Sequence, residues 1–156
     1  MGLDTSHDCW HGAYSAFHRW RLKLAEIAGI PLPFMEGWYG EVVTDGMAGH
    51  PVWAKYAYQD RPGSMFKDSM LDDLKFFPIR WGVLRPDALH ILLNHSDSDG
   101  EIAWEDCGPL ADRLAELLSS LDGDGGGHIG NYRDETRTFI DGLRLAAQKR
   151  ENVDFH

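Results

Sequence analysis

Apolar residues recur every three or four positions along several stretches of this chain, which is the pattern of helices that bury one face. The first such stripe consists of Phe17, Trp20, Leu24 and Ile27. A glycine, an apolar residue and a proline follow at positions 29–31, and this order is typical of a helix end. The pattern therefore predicts a helix from about Ala13 to Ala28.

Two more stripes predict helices in the second half of the chain. Leucines recur from Glu105 to Leu121, and apolar residues recur over 132–149, where Asn131 precedes the stripe as a plausible N-cap. Between these helices, residues 122–130 include five glycines in nine positions. This composition predicts a mobile loop, which would serve either as a plain linker or as a flexible lid.

The segment PDALHILLN, residues 86–94, fits two structures. It predicts either a helix with proline at its first position or a buried strand through Leu89 to Leu93. The difference affects the loop that follows, because an entering helix would make that loop similar to an EF-hand. Short strands are also expected at 81–83 and, as an edge strand, at 153–156.

Residues 31–62 contain several glycines and prolines, which favour short strands or loops over long regular elements. Strands are expected at 41–44 and 52–58, and a short amphipathic helix at 68–77. Aromatic residues crowd positions 34–58. They would either anchor irregular segments or form a wall on which a ligand stacks.

Length and composition indicate one packed domain. The chain has 156 residues, of which 43% are hydrophobic and 12% aromatic, and a chain of this length buries roughly two-thirds of its unfolded surface. We therefore expect an α+β fold, a single compact helix-rich domain with a few short strands over residues 1–156. Cys9 and Cys107 are too few for a disulfide framework and are expected to be free thiols.

The formal net charge of −10 makes duplex nucleic acid a poor partner and favours a basic protein surface instead. The N-terminal segment lacks the pattern of a secretory signal, and no apolar run has the length of a membrane span. We therefore expect a cytoplasmic protein without membrane contact.

The string HSDSDGEI, residues 95–102, is the strongest candidate for a site. Alternating carboxylates followed by glycine are how a short loop folds oxygen atoms around a hard cation. A calcium loop normally has aspartate where this chain has His95, and glutamate where it has Asp106. The string thus predicts calcium binding, a transition-metal site of His95, Asp97 and Asp99, or a metal-free turn. A divalent metal is the only cofactor that it suggests.

Histidines also cluster near the N-terminus. If a helix began near His7, the side chains of His7, His11, Tyr14 and His18 would share one face. Two histidines one turn apart can bind a metal ion, whereas the alternative is a polar helix entry with incidental histidines. Gly12 weakens such an early helix start.

The strings CWHGAYSAFHRWR, HSDSDGEI, EDCGPLADRLAELL and FIDGLRLAAQKRENVDFH cover most of the chain. On these strings the chain resembles small proteins of bacteriophages and actinobacterial genomes. The resemblance implies no particular activity. Among phage accessory proteins it favours those that inhibit a host enzyme or sequester nucleotide immune signals, and it would place the protein in the host cytoplasm.

The leading hypothesis is a non-enzymatic protein that binds or sequesters a small polar, nucleotide-like ligand. Its candidate ligand-binding residues are His7, Trp10, His11, Tyr14, His18, His95, Asp97 and Asp99. One alternative is a metal-dependent hydrolase in which His7, His11, His95, Asp97 and Asp99 hold a cation that activates a bound water. The other is an acidic protein that inhibits a host enzyme through its surface charge.

Overall fold

The fold is described from a computed structural model of the chain. The structure describes residues 2–30, 32, 35, 36, 38, 80–84, 86–121 and 131–156. The elements predicted at 41–44, 52–58 and 68–77 and the glycine-rich loop at 122–130 lie outside these residues.

The described part of the chain is α+β and helix-rich, as predicted. Its helices are α1 (Tyr14–Ala28), α2 (Leu89–Leu93), α3 (Trp104–Leu117) and α4 (Tyr132–Lys149). Its strands are β1 (Gly2–Asp4), β2 (His11–Ala13), β3 (Gly100–Ile102) and β4 (Val153–Phe155). Single 3-10 turns occupy Ser6–Asp8, Trp81–Leu84 and Leu118–Ser120, so the strand expected at 81–83 is wrong.

Helix ends follow the local signals in the sequence. Gly29 ends α1 in the left-handed conformation, with φ 73°, and its N–H donates to the carbonyls of Ala25 and Glu26. Asn131 caps α4 as predicted, because its side-chain oxygen accepts from the backbone N–H of Arg133 at 2.8 Å and of Asp134 at 3.4 Å. These confirmed predictions depend only on residues within a few positions of each other.

Within the ambiguous segment at 86–94, Leu89–Leu93 is helical, so Pro86 is not the first helical position. Asp87 lies just before this helix. Its Oδ1 accepts from the backbone N–H of Leu89 at 3.0 Å, which satisfies a donor that a helix start leaves open. Arg113 on α3 holds the same carboxylate through Nε at 2.9 Å and Nη2 at 3.1 Å. Hydrogen bonding to Asp87 raises the pKa of the Arg113 guanidinium above its ordinary value. The start of α2 is therefore tied to α3.

The strands form two antiparallel pairs, β1 with β2 and β3 with β4. The pairs are joined by a bridge between Thr5 and Phe155 and by two backbone hydrogen bonds between Asp4 and His156, at 2.9 and 3.0 Å. These contacts bring β1 next to β4, but they do not merge the two sheets. The strand predicted near 153–156 is present as β4, which pairs along its length only with β3 and is therefore an edge strand of its sheet.

Helices α3 and α4 pack along each other, and α1 and the inner side of the sheet complete one buried cluster. The largest fully buried side chains are those of Trp20, Phe17, Phe139, Leu3, Leu24, Ile30, Leu32 and Met35. Trp20 Nε1 donates to Thr136 Oγ1 at 2.8 Å, so this tryptophan joins α1 to α4 without an unpaired indole N–H. Within the described residues, no helix has both the length and the apolar character needed to cross a bilayer.

Candidate functional site

The central loop lies between α2 and β3, with α3 beginning shortly after the strand. This order of helix, loop, short strand and helix is that of an EF-hand. Gly100 makes the turn with φ 98°. A Cβ atom on Gly100 would lie 3.4 Å from both Cε1 and Nε2 of His95, so the imidazole covers the glycine.

The loop is closed by its own hydroxyl groups. Ser96 Oγ donates to Asp99 Oδ1 at 2.6 Å, and Ser98 Oγ donates to the same oxygen at 3.4 Å. The backbone N–H of Ser98 donates to Ser96 Oγ at 3.2 Å. These are the contacts of a polar turn in which short side chains replace backbone partners.

The transition-metal site predicted for this loop consists of His95, Asp97 and Asp99. His95 Nδ1 donates to the carbonyl of Ser96 at 2.7 Å, and its ring lies 4.1 Å from the ring of Phe155, between centroids. In the described ranges, no three His, Cys, Asp or Glu side chains are placed to share one metal ion.

The N-terminal histidines do not share a helix face, so that prediction is wrong. His7 lies in the turn at 6–8, His11 lies in β2, and α1 begins only at Tyr14. The physical reason is strand pairing: Asp4 is opposite His11 and Leu3 opposite Gly12, which holds the segment extended. The imidazole of His11 is 90% exposed and bonds the Asp4 carboxylate.

His7 instead links the two ends of the described chain. Its Nδ1 lies 2.8 Å from Ser6 Oγ, and its Nε2 lies 2.7 Å from Glu151 Oε2. Ser6 Oγ also accepts from the backbone N–H of Asp154 at 2.9 Å. Sequence analysis missed this chain of hydrogen bonds, because Glu151 and Asp154 are distant in sequence from Ser6 and no local pattern connects them.

The aromatic residues proposed as ligand contacts lie in or against the core. Trp10 is 3% exposed and stacks on Trp20, with 5.2 Å between ring centroids. Tyr14 is partly buried and packs on the same cluster. His18 stacks on Trp38 at 4.9 Å. A base could reach Trp10 only if the core opened.

Arg21 is a second residue that sequence analysis missed. It is 2% exposed, and its Nη1 donates to the carbonyl of His95 at 2.7 Å. Its guanidinium carbon lies 4.7 Å from the ring centroid of Phe17 and 4.6 Å from that of Trp38. A signal was present, because Arg21 occupies the i+4 position after Phe17 on the buried stripe of α1. This buried arginine fixes the start of the central loop to α1.

One face of the sheet is exposed and acidic. Side chains alternate along each strand, so Leu3, Thr5, Val153 and Phe155 are buried while their neighbours point outward. The outward residues are Asp4, His11, Glu101, Asp154 and His156, which we call the acidic sheet face. The sheet also separates two of the predicted ligand-binding histidines. His11 is on this outer face, whereas the His95 ring lies against Phe155 and the inner face.

The two cysteines are free thiols, as predicted, and both are fully buried. Burial and, to a smaller extent, the nearby Cys107 together raise the pKa of Cys9 to about 12. Burial likewise raises the pKa of Cys107 to about 11, with Asp106 and Glu105 adding to the effect. Neither sulfur is a nucleophile at neutral pH, since the thiolate is the reactive form.

No protein-family model, curated protein or solved structure matches this chain. The function is therefore inferred from the geometry described above.

Proposed function

We propose that this chain is a binding protein whose acidic sheet face docks a positively charged segment of a partner protein. The observation that carries the proposal is the direct opposition of Glu101 and Asp154 across the β3–β4 pair. Like charges in this position weaken a sheet. Among the residues that the structure describes, neither carboxylate has an ion-pair partner. A lysine or arginine from a partner would relieve their repulsion.

The rest of the surface charge supports the same kind of partner. The chain carries 25 acidic against 15 basic residues, so its long-range field attracts cations and speeds their approach. Asp4 adds a third carboxylate to the acidic sheet face, half-exposed beside His11. In the phage setting that the sequence resemblance implies, the partner would be a protein of the host.

The geometry also changes the kind of small ligand that the protein could bind. Carboxylates on the acidic sheet face would repel the phosphates of a nucleotide, and Trp10, the proposed stacking residue, is 3% exposed. A small polar ligand on this face would therefore be a cation. We favour a basic protein segment over a small cation, because the outward carboxylates are spread over three neighbouring strands instead of converging on one point.

Charge reversal at Glu101 tests the proposal. The probe is a fluorescent lysine-rich peptide titrated with the protein at low salt. We expect Glu101→Lys to weaken peptide binding by about tenfold or more, because it removes one carboxylate and repels the peptide from Asp154. In about 1 M salt, where screening acts within about 3 Å, the wild-type affinity should fall to that of the variant.

The matched control is Asp141→Lys, which makes the same change in net charge at an exposed position of α4, away from the sheet. It should alter peptide affinity much less than Glu101→Lys does. Equal loss in both variants would mean that the peptide senses net charge only, and the docking face would be refuted. Glu101→Lys should also raise the free energy of unfolding by about 0.2–1 kcal/mol, because it places a cation opposite Asp154. Chemical denaturation measures that gain and shows that lost binding is not lost folding.

A further inference from the structure

We propose that Ser6 is a nucleophile activated by His7, and that it is acylated by small uncharged carboxylic esters. The proposal starts from the hydrogen-bonded series Ser6, His7 and Glu151, with atom separations of 2.8 and 2.7 Å. Both distances lie within the range of roughly 2.6–3.2 Å that joins a nucleophile, its base and the group that orients the base. It is independent of the docking of a basic partner.

The direction of each hydrogen bond follows from the groups involved. The Glu151 carboxylate can only accept, so His7 Nε2 must donate to it. A neutral imidazole then has its lone pair on Nδ1, and this nitrogen must accept the hydroxyl proton of Ser6. The backbone N–H of Asp154 takes another position on the same oxygen, at 2.9 Å. The serine hydroxyl therefore points at the base that would remove its proton.

The hydrogen bonds run from serine to histidine and from histidine to the acid, as they do in a serine–histidine–acid triad. The two ring nitrogens have exchanged roles. In the described chain Nδ1 is the base and Nε2 is held by the carboxylate. The exchange follows from the sequence, since Ser6 and His7 are neighbours and the short side chain reaches the near ring nitrogen. The chemistry requires an imidazole nitrogen whose lone pair faces the serine hydroxyl and a carboxylate on the other ring nitrogen, and both are present.

The backbone is distorted around these three residues. In the described part of the chain, three non-glycine residues have positive φ: His7 at 60°, Asp8 at 54° and Arg150 at 57°. Two of them form the turn that presents His7, and the third immediately precedes Glu151. Uncommon backbone conformations persist only where the surroundings enforce them, and they concentrate at functional sites. Arg150 is also the left-handed C-cap of α4, so the positive φ values of His7 and Asp8 are the ones left without a helix-capping role.

The surroundings decide which esters could react. Ser6 is partly exposed, whereas the His7 side chain is 9% exposed and therefore shielded from solvent. Asp8 is exposed two residues after the serine, Asp154 is exposed and bonds Ser6 Oγ through its backbone N–H, and Glu151 bonds the imidazole. Three carboxylates close to the nucleophile repel anionic substrates. An uncharged ester meets no such barrier.

The reaction conserves atoms and charge. Ser6 Oγ forms a bond to the carbonyl carbon of the ester while its proton passes to His7 Nδ1, and Glu151 stabilises the resulting imidazolium. The ester C–O bond then breaks, and the leaving alcohol takes the proton from Nδ1. Water repeats the sequence on the acyl-serine with His7 as its base. The products are a carboxylic acid and free Ser6.

The probe is p-nitrophenyl acetate, with release of nitrophenolate followed by absorbance and the acetylated residue located by peptide mass mapping. We expect acetylation at Ser6 in the folded wild-type protein. His7→Asn should slow acetylation of Ser6 by about 100-fold or more, the usual minimum for a general base. Asparagine is chosen because it tolerates the left-handed backbone conformation of this position. Glu151→Gln should slow it by a smaller factor.

Ser98→Ala is the matched control, because Ser98 is an exposed serine in the central loop without a histidine partner among the described contacts. It should react as the wild type does. Circular dichroism and urea unfolding establish that each variant is folded. If folded wild-type protein is acetylated at Ser6 no faster than at Ser98, or if folded His7→Asn reacts at the wild-type rate, the series is a structural link between chain segments and the proposal is wrong. Peptide mass mapping of the acetylated wild-type protein tests the proposal even if a variant fails to fold.

Discussion

Gly142→Ala should destabilise the protein by about 2 kcal/mol or more, although alanine is the better helix former. Gly142 lies in the middle of α4, where glycine to alanine alone would stabilise by roughly 0.5–1 kcal/mol. A Cβ atom here would lie 2.5 Å from Cys9 Sγ, 2.7 Å from the carbonyl oxygen of His7 and 3.0 Å from Cys9 Cα. Two of these atoms belong to the backbone, so no side-chain rotation relieves the clash. Urea unfolding measures the loss.

A second readout of the same variant is the reactivity of Cys9. In the native protein this thiol is buried with a pKa of about 12, so alkylation at neutral pH is slow. If the turn at 6–8 moves away from α4, alkylation of Cys9 should accelerate while Cys107 remains protected. Gly82→Ala in the turn Trp81–Leu84 is the control, because a Cβ atom there meets nothing within 4 Å. It should leave stability unchanged or slightly raised, and a loss equal to that of Gly142→Ala would contradict the packing argument.

Arg21→Met should lower the free energy of unfolding by about 1–2 kcal/mol and loosen the central loop. The carbonyl of His95 loses its charged donor at 2.7 Å, and hydrogen bonds to charged groups contribute roughly 1.5–3 kcal/mol. The net loss is smaller, because the variant also removes the cost of burying a guanidinium. Methionine keeps most of the apolar contact with Phe17 and Trp38.

Hydrogen exchange locates this effect in the chain. The backbone N–H of His95 bonds the carbonyl of Leu92 at 3.3 Å, and that of Ser98 bonds Ser96 Oγ. Both amides should exchange faster in Arg21→Met. Arg19→Met is the control, since Arg19 is exposed on the same helix. If the two variants showed the same exchange rates in the loop, Arg21 would not fix its position.

Sequence patterns predicted those elements whose causes are local. The end of α1 at Gly29 and the start of α4 at Asn131 depend on hydrogen bonds to residues within a few positions, so the residue types alone suffice. The 86–94 segment had two readings because its apolar run lacks a clear period. The helix that forms there follows Asp87, whose carboxylate accepts from the backbone N–H of Leu89 and is bound by Arg113 from another helix.

The candidate site was predicted less well, because it depends on which strands pair. His11 and His95 share residue type and a polar neighbourhood, but strand pleating places them on opposite faces of the sheet. Trp10 has the aromatic ring that stacking on a base requires, but this ring is part of the core. The acidic sheet face and the Ser6–His7–Glu151 series combine residues from distant segments, for which one sequence has no periodic signal.

The contacts of β4 with the N-terminal segment also set the order in which this protein can fold. Asp154 and Ser6 are 148 residues apart in sequence, and closing so long a loop is entropically costly until other contacts have shortened it. Helices α3 and α4 are closer neighbours in sequence and share the most extensive packing between elements. They are suited to form early, whereas the joined sheet forms late. The acidic sheet face and the Ser6 turn would then be absent from any partly folded chain, so both properties belong only to the finished molecule.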